Sequence, residues 1–348
     1  MHRLRDFGLD NTRAQVDFPK MRRGGVDAAF FALFTSNTLS DPQAYELASA
    51  LLGDLERQVA AYPDRVAFAY SVRDVLANKA AGLISILIGM ENGSPIQGSL
   101  EILRDFWRRG VRYMTLTHNG DNLICDSCAG QHRWGGLSPF GREVVAEMNR
   151  LGMIIDIAHC SDDTVRDCLE TSVAPIVTTH SCCRALAAHR RNLTDDQIRA
   201  IADKGGVVQI NFYPGFLSES FAKDPRYLEL DDRAEAAEAP FREDPANPAY
   251  AAAWLRALED LERLERPSYK RVVDHIDHAV RIGGVEHVGI GSDFDGISVT
   301  PAGLEDVSKV PVIFEEMARR GYTEDEIELI AGKNFLRVMD EVQSIGYQ

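Results

Sequence analysis

Three apolar runs constrain this chain more than any other feature: LISILIGMEN (83–92), MIIDIAHCS (153–161) and PIVTTHS (175–181). Each is dominated by aliphatic and β-branched residues, the pattern of a strand buried on both faces. Each also ends in a potential metal ligand, namely Glu91, His159 and His180. Carboxylate and imidazole groups at the carboxyl ends of successive parallel strands are how an α/β barrel assembles a metal site.

Further runs at 26–34, 111–118, 207–213 and 287–293 bring the predicted strands to seven, at 26–34, 83–91, 111–118, 153–159, 175–180, 207–213 and 287–293. Amphipathic stretches at 41–62, 98–110, 138–152, 194–206 and 269–282 alternate with them, several opening on capping residues such as Ser138-Pro139, Ser161 and Thr194. This β–α alternation predicts an α/β chain, and the polar strand ends favour a (β/α)8 TIM-type barrel over a doubly wound sheet. A barrel needs eight strands, so one is missing from this count. The chain, 1–348, reads as one hydrolase domain with an insert at about 214–268, whose charge and Pro content suggest a lid over the active-site face.

A formal charge of −15 excludes nucleic acid as the main partner, because phosphate binding needs a basic stripe. No run of 18 apolar residues is present and the first residues lack a secretory apolar core, so a cytoplasmic address without membrane contact is expected. Six cysteines include Cys125-x-x-Cys128 and the adjacent Cys182-Cys183, but lack the second spaced pair of a zinc knuckle; they read as idle thiols.

Singly, His159 or His180 would be an ordinary hydrogen-bonded core histidine, and Glu91 a solvated loop residue. Together, on three successive units, they point to a metal. His118, ending TLTHN, suits either a fourth ligand or a donor to developing negative charge. Asp293 in GSDFDG suits a proton acceptor beside a metal-activated water, while Asp295 reads as structural. Arg191 offers a bidentate fork for a substrate carboxylate, although composition alone reads it as a surface cation. His275 and His278, three apart on one predicted helix face, read as shielding the barrel surface; His132, His189 and His287 carry no clear signal.

The ordered motifs GMENG, TLTHN, IDIAHCS, TTHS, RRN, NFY and GIGSDFDG resemble the membrane (renal) dipeptidases of the amidohydrolase superfamily, over most of the chain. The resemblance implies a barrel with two zinc ions that hydrolyses dipeptides, often accepting a D-residue at the carboxyl side. It implies Glu91 bridging both metals, His159 and His180 on the second zinc, and His118 on the substrate or its oxyanion. It further implies Arg191 on the terminal carboxylate and Asp293 as proton shuttle. One departure stands out: the family opens on a strand ending in His-x-Asp that completes the first zinc site, whereas the only early histidine here is His2, and His2-Arg3-Leu4 lacks the acid. The expectation is a barrel lacking its first strand, with one metal site incomplete and activity impaired. A truncated copy, a one-metal variant and a non-catalytic relative all fit. A small dipeptide is the expected partner and a homodimer the candidate assembly. A different metal-dependent amidohydrolase, acting on a cyclic amide or lactone, is the alternative.

Overall fold

A computed structural model describes residues 6–11, 14–244 and 246–346. Eight parallel strands run through it: β1 (Ala28–Phe34), β2 (Val66–Phe68), β3 (Ile84–Glu91), β4 (Val111–Thr115), β5 (Ile154–Asp156), β6 (Ile176–Ser181), β7 (Val207–Asn211) and β8 (Val288–Gly291). They are hydrogen-bonded in the order β1-β3-β4-β5-β6-β7-β8. β3 is the spine, with its first seven residues buried, as its unbroken apolar run requires. Its last residue, Glu91, lies opposite Phe34 on β1 and Thr115 on β4.

β2 is not the strand that the barrel lacks. It shares one edge of β3 with β4, taking residues 84–86 while β4 pairs from Ile88 onward. Among the described residues no strand joins β1 to β8, so the curled sheet has two open edges. The exposed Ala32 and half-buried Phe30, Phe31 and Phe34 mark β1 as one of them. The fold is thus a TIM-type α/β architecture in which, among the described residues, the strand that would close β1 onto β8 is absent; His2 lies outside the described residues.

The helices form where capping and spacing dictate. The helix Asp41–Ala61 opens on a Ser40–Gln43 capping box and buries Ala44, Ala48, Leu52, Leu55 and Val59 on one face. Each fully buried leucine there contributes about 1.5–3 kcal/mol relative to exposure. The helix Pro139–Leu151 starts on Ser138, whose side chain accepts from the Gly141 N–H at 2.8 Å, and ends at Gly152, where φ is 66°. Thr194 forms a capping box with Gln197. The region of the insert holds the helices Pro214–Leu217, Glu219–Ala222, Pro225–Glu243 and Pro248–Glu262. No described helix is long and apolar enough to cross a membrane.

Several strands end earlier than their apolar runs suggest, and local side chains explain why. Asp156 accepts from the Ala158 N–H at 3.0 Å, an Asx-type turn that stops β5 before His159. Asn211 does the same to Tyr213 at 2.5 Å, ending β7 two residues short of the expected boundary. His159 and Asp293 have φ of 68° and 58°, a left-handed backbone incompatible with a continuing strand. Asp295 serves the fold: its carboxylate accepts from the Gln15 and Val16 amides at 2.9 and 3.2 Å. Across the interior, β8 comes so near β6 that a Cβ on Gly291 would lie 1.9 Å from the Thr179 carbonyl oxygen. The six cysteines are free thiols, five of them buried.

Candidate metal and active site

Glu91, His118, His159, His180 and Asp293 all lie at or just past the carboxyl ends of strands, around one point of the sheet's rim. His159 Nε2 and His180 Nε2 are 3.0 Å apart, and Glu91 Oε1 stands 3.2 Å from the first and 3.4 Å from the second. Those separations match the roughly 3.3 Å edge of a tetrahedron with bonds of about 2.0 Å. The outer nitrogens are engaged elsewhere: His159 Nδ1 meets Asn119 Oδ1 at 3.0 Å, and His180 Nδ1 meets Thr179 Oγ1 at 2.8 Å. With the Nδ1 protons so placed, three lone pairs converge with no proton among them, an arrangement that suits a cation. Glu91, His159 and His180 could therefore hold a divalent metal, and the donor set fits one.

His118 belongs to the same cluster. Its ring centroid lies 4.2 Å from that of His159 and 4.8 Å from Phe34, and it can offer a ligand atom within 4.8 Å of those of Glu91 and His159. Both readings of His118, ligand or donor to substrate, agree with this position.

The electrostatics are set by burial and by neighbours. Burial works against the Glu91 carboxylate, but contact with His159 and His180 outweighs it and holds the group well below its ordinary range. The two histidines diverge. Burial pushes His159 down, with the Arg191 charge adding to the effect; His180 is raised, because Asp293 and Glu91 overcome its own burial. Burial raises Asp293, with Glu91 adding to the rise and His180 and the Asn211 amide opposing it. A carboxyl raised in this way holds a proton more readily than an ordinary aspartate, as a proton-transfer group should.

Arg191 is not the surface cation that composition suggests. It is buried; Nη2 donates to the His180 carbonyl at 3.1 Å, Nη1 lies 3.5 Å from Ser181 Oγ, and the guanidinium stands 5.2 Å from the Phe216 ring centre. Its Nε has no hydrogen-bond partner, and among the described residues no carboxylate lies within ion-pair distance. A buried, uncompensated cation is costly unless an anion arrives.

The sequence reading passed over four residues that hold this cluster: Asn119, Asp156, Thr179 and Asn211. Asp156 had a readable signal, being a lone acid inside the apolar run MIIDIAHCS, where an unpaired carboxylate would be expensive. The others flank the histidines and aromatics without any such mark. His275 and His278 stand outside this cluster: His275 is fully buried, and His278 pairs with Asp195 at 2.7 Å.

Fold and rim together define a metal-dependent hydrolase built on a parallel barrel. The chain matches the model of the membrane dipeptidases, peptidase family M19, over residues 1–348, and it belongs to that family of metallo-dipeptidases. A dipeptidase of Aspergillus oryzae, aclJ, is 35% identical over 345 residues, covering 97% of this chain and 72% of that one. The crystal structure of the probable dipeptidase PvdM of Pseudomonas aeruginosa superposes with a TM-score of 0.83 at 29% identity, covering 97% and 91% of the two chains. A metallopeptidase of Rhodobacter sphaeroides, solved with a phosphinate mimic of the dipeptide L-Ala-D-Ala, gives a TM-score of 0.78 at 25% identity, covering 95% and 91%.

Proposed function

We propose that the chain is a zinc dipeptidase in which Glu91, His159 and His180 hold the metal, Arg191 receives the substrate's terminal carboxylate and Asp293 moves the proton. Zinc bound there would act as a Lewis acid and lower the pKa of a water. The chain's own residues supply the rest. Arg191 is buried beside the cluster with its Nε unpartnered, so a free carboxylate arriving there would gain a charge-assisted, bidentate partner and leave the scissile amide over the metal ligands. Asp293, its carboxyl raised by burial and held by the Asn211 amide at 3.0 Å, takes a proton from the attacking water and returns it to the leaving amine. His118 faces the same space and donates to the developing oxyanion.

Two finer points rest on relatives and on composition. Tolerance of a D-residue at the carboxyl side is proposed because the Rhodobacter sphaeroides protein was solved with an L-Ala-D-Ala mimic. We assign one ion to the Glu91–His159–His180 trio. A second ion of the family's type would find Glu91, but the His-x-Asp pair present, His275 and Asp277, lies on the helix Lys270–Gly283 away from the cluster, so turnover below that of a two-metal relative is proposed.

The unpaired Arg191 carries this reading, and a two-by-two comparison tests it. Wild type and Arg191→Met are assayed on a dipeptide and on the same dipeptide with its carboxyl amidated. Blocking the carboxylate, or removing the arginine, should each lower kcat/KM by about 10²-fold or more, and the two losses should not multiply. Equal rates on both substrates by both proteins would overturn the reading and favour a hydrolase of cyclic amides or lactones.

A further inference from the structure

Beneath His180 lies a hydrogen-bond chain that ends on a buried acid. Asp156 is fully buried and each of its carboxylate oxygens accepts twice. Oδ1 takes the Ala158 and Thr179 amides at 3.0 and 2.9 Å; Oδ2 takes the hydroxyls of Thr115 and Thr179 at 2.5 and 2.6 Å. Both backbone amides can only donate. A carboxylate surrounded in this way accepts throughout, so the Thr179 hydroxyl spends its single proton on Asp156. What the Thr179 oxygen turns toward His180 Nδ1, 2.8 Å away, is then a lone pair. Nδ1 must bring the proton to that contact, and Nε2, which faces Glu91 and His159, is left bare.

We propose that Asp156, acting through Thr179, is a positioning residue that fixes His180 as the Nδ1–H tautomer and so presents its Nε2 lone pair to the metal. This deepens the zinc dipeptidase reading and rests on it for the role of His180, but the tautomer itself does not need a metal to be seen. The arrangement is economical, because one acid at the end of β5 sets the protonation of a ring on β6 and also ties β4 to the same point through Thr115. His159 has a separate partner in Asn119, so the two histidines are set independently.

Two variants act on the chain in different ways. Thr179→Val keeps the shape and deletes the hydroxyl. Asp156→Asn inverts the polarity: an amide nitrogen in place of Oδ2 donates to Thr179, which then turns its own proton toward Nδ1 and drives His180 to Nε2–H. Tautomers are read in the metal-free full chain by 15N-histidine NMR in alkaline buffer, and zinc affinity by competition with a chelator. We expect Nδ1–H at His180 in the wild type, a loss of that preference in Thr179→Val, and Nε2–H in Asp156→Asn. Zinc affinity should fall by about 10–100-fold in Thr179→Val, the usual effect of losing an outer-shell partner, and Thr179→Ser should recover it.

An Nε2–H signal for His180 in the wild type would overturn the relay. So would wild-type zinc affinity in Thr179→Val, or an affinity loss that Thr179→Ser fails to rescue, which would mark Thr179 as packing alone. A wild-type chain that shows the Nδ1–H tautomer yet binds no zinc would leave the relay standing and sink the zinc dipeptidase reading instead.

Discussion

His275 should make this protein lose stability in mild acid by an amount that its surroundings determine. The ring is fully buried on the helix Lys270–Gly283, and both of its nitrogens are in use. Nδ1 accepts from the Cys183 N–H at 3.1 Å, in the loop after β6; Nε2 donates to the Leu217 carbonyl at 3.0 Å, after β7. Only the neutral Nε2–H form satisfies both contacts, since a second proton would point at the Cys183 amide. Burial accordingly pushes the ring from its ordinary 6.5 down to about 4; the Leu217 bond opposes this and the Arg271 charge assists it.

Because the folded value lies below the unfolded one, the unfolded chain binds the extra proton first. Stability is full above about pH 6.5 and drains away as pH falls toward 4. The gap of 6.5 − 4 = 2.5 units corresponds to about 3 kcal/mol, of which about 2 kcal/mol is already lost at pH near 5. His275→Gln lacks that proton. It should cost about 1–3 kcal/mol at neutral pH through weakened hydrogen bonds, yet the deficit should shrink by about 2 kcal/mol on going to pH near 5. Urea-unfolding midpoints of the two proteins across that range provide the measurement, with other titrating groups cancelling in the difference. Parallel curves would refute the argument, since they would mean that His275 takes up its proton equally in both states.

Asp293→Asn should cut kcat by about 10²-fold or more while leaving the melting temperature nearly unchanged, because asparagine tolerates the left-handed backbone found there. Turnover close to wild type would remove Asp293 from the proton path. Gly206→Ala should destabilise by about 1–3 kcal/mol, since the added Cβ would stand 2.1 Å from the Ile176 carbonyl oxygen and 2.8 Å from Ile201 Cγ2. An unchanged urea midpoint would show that this contact relaxes freely.

The barrel and its rim could be read from the sequence because the relevant signals are long or repeated. β3 is eight residues of nearly unbroken burial, and Glu91 falls at its end as predicted. β2 was invisible for the opposite reason: three residues, Val66–Phe68, carry no periodicity to detect. The expected strand ends at His159 and Asp293 overran because Asp156 and the left-handed backbone at these two residues stop the ladder before them. The surface position that composition alone suggests for Arg191 in HRRNLTDD is not found, for its burial comes from Phe216 and Ser181, which are brought in by tertiary contacts. The pairings Asp156–Thr179 and Asn119–His159 depend on hydroxyl and amide directions that no spacing rule encodes.

The close approach of Gly291 to Thr179 makes the two working sides of the rim a single mechanical unit. β6 carries His180 and β8 leads directly into Asp293, so the distance between the proposed metal ligand and the proposed proton carrier is gauged by a backbone contact that has no room for a methyl group. Any side chain at position 291 would act as a wedge, driving the ligand and the acid apart while leaving every chemical group in the sequence intact. Such a protein would keep all its motifs and lose its alignment, so inspecting site residues alone would score it as active. Position 291 therefore belongs among those that decide whether a relative of this chain can work, even though glycine brings no chemistry of its own.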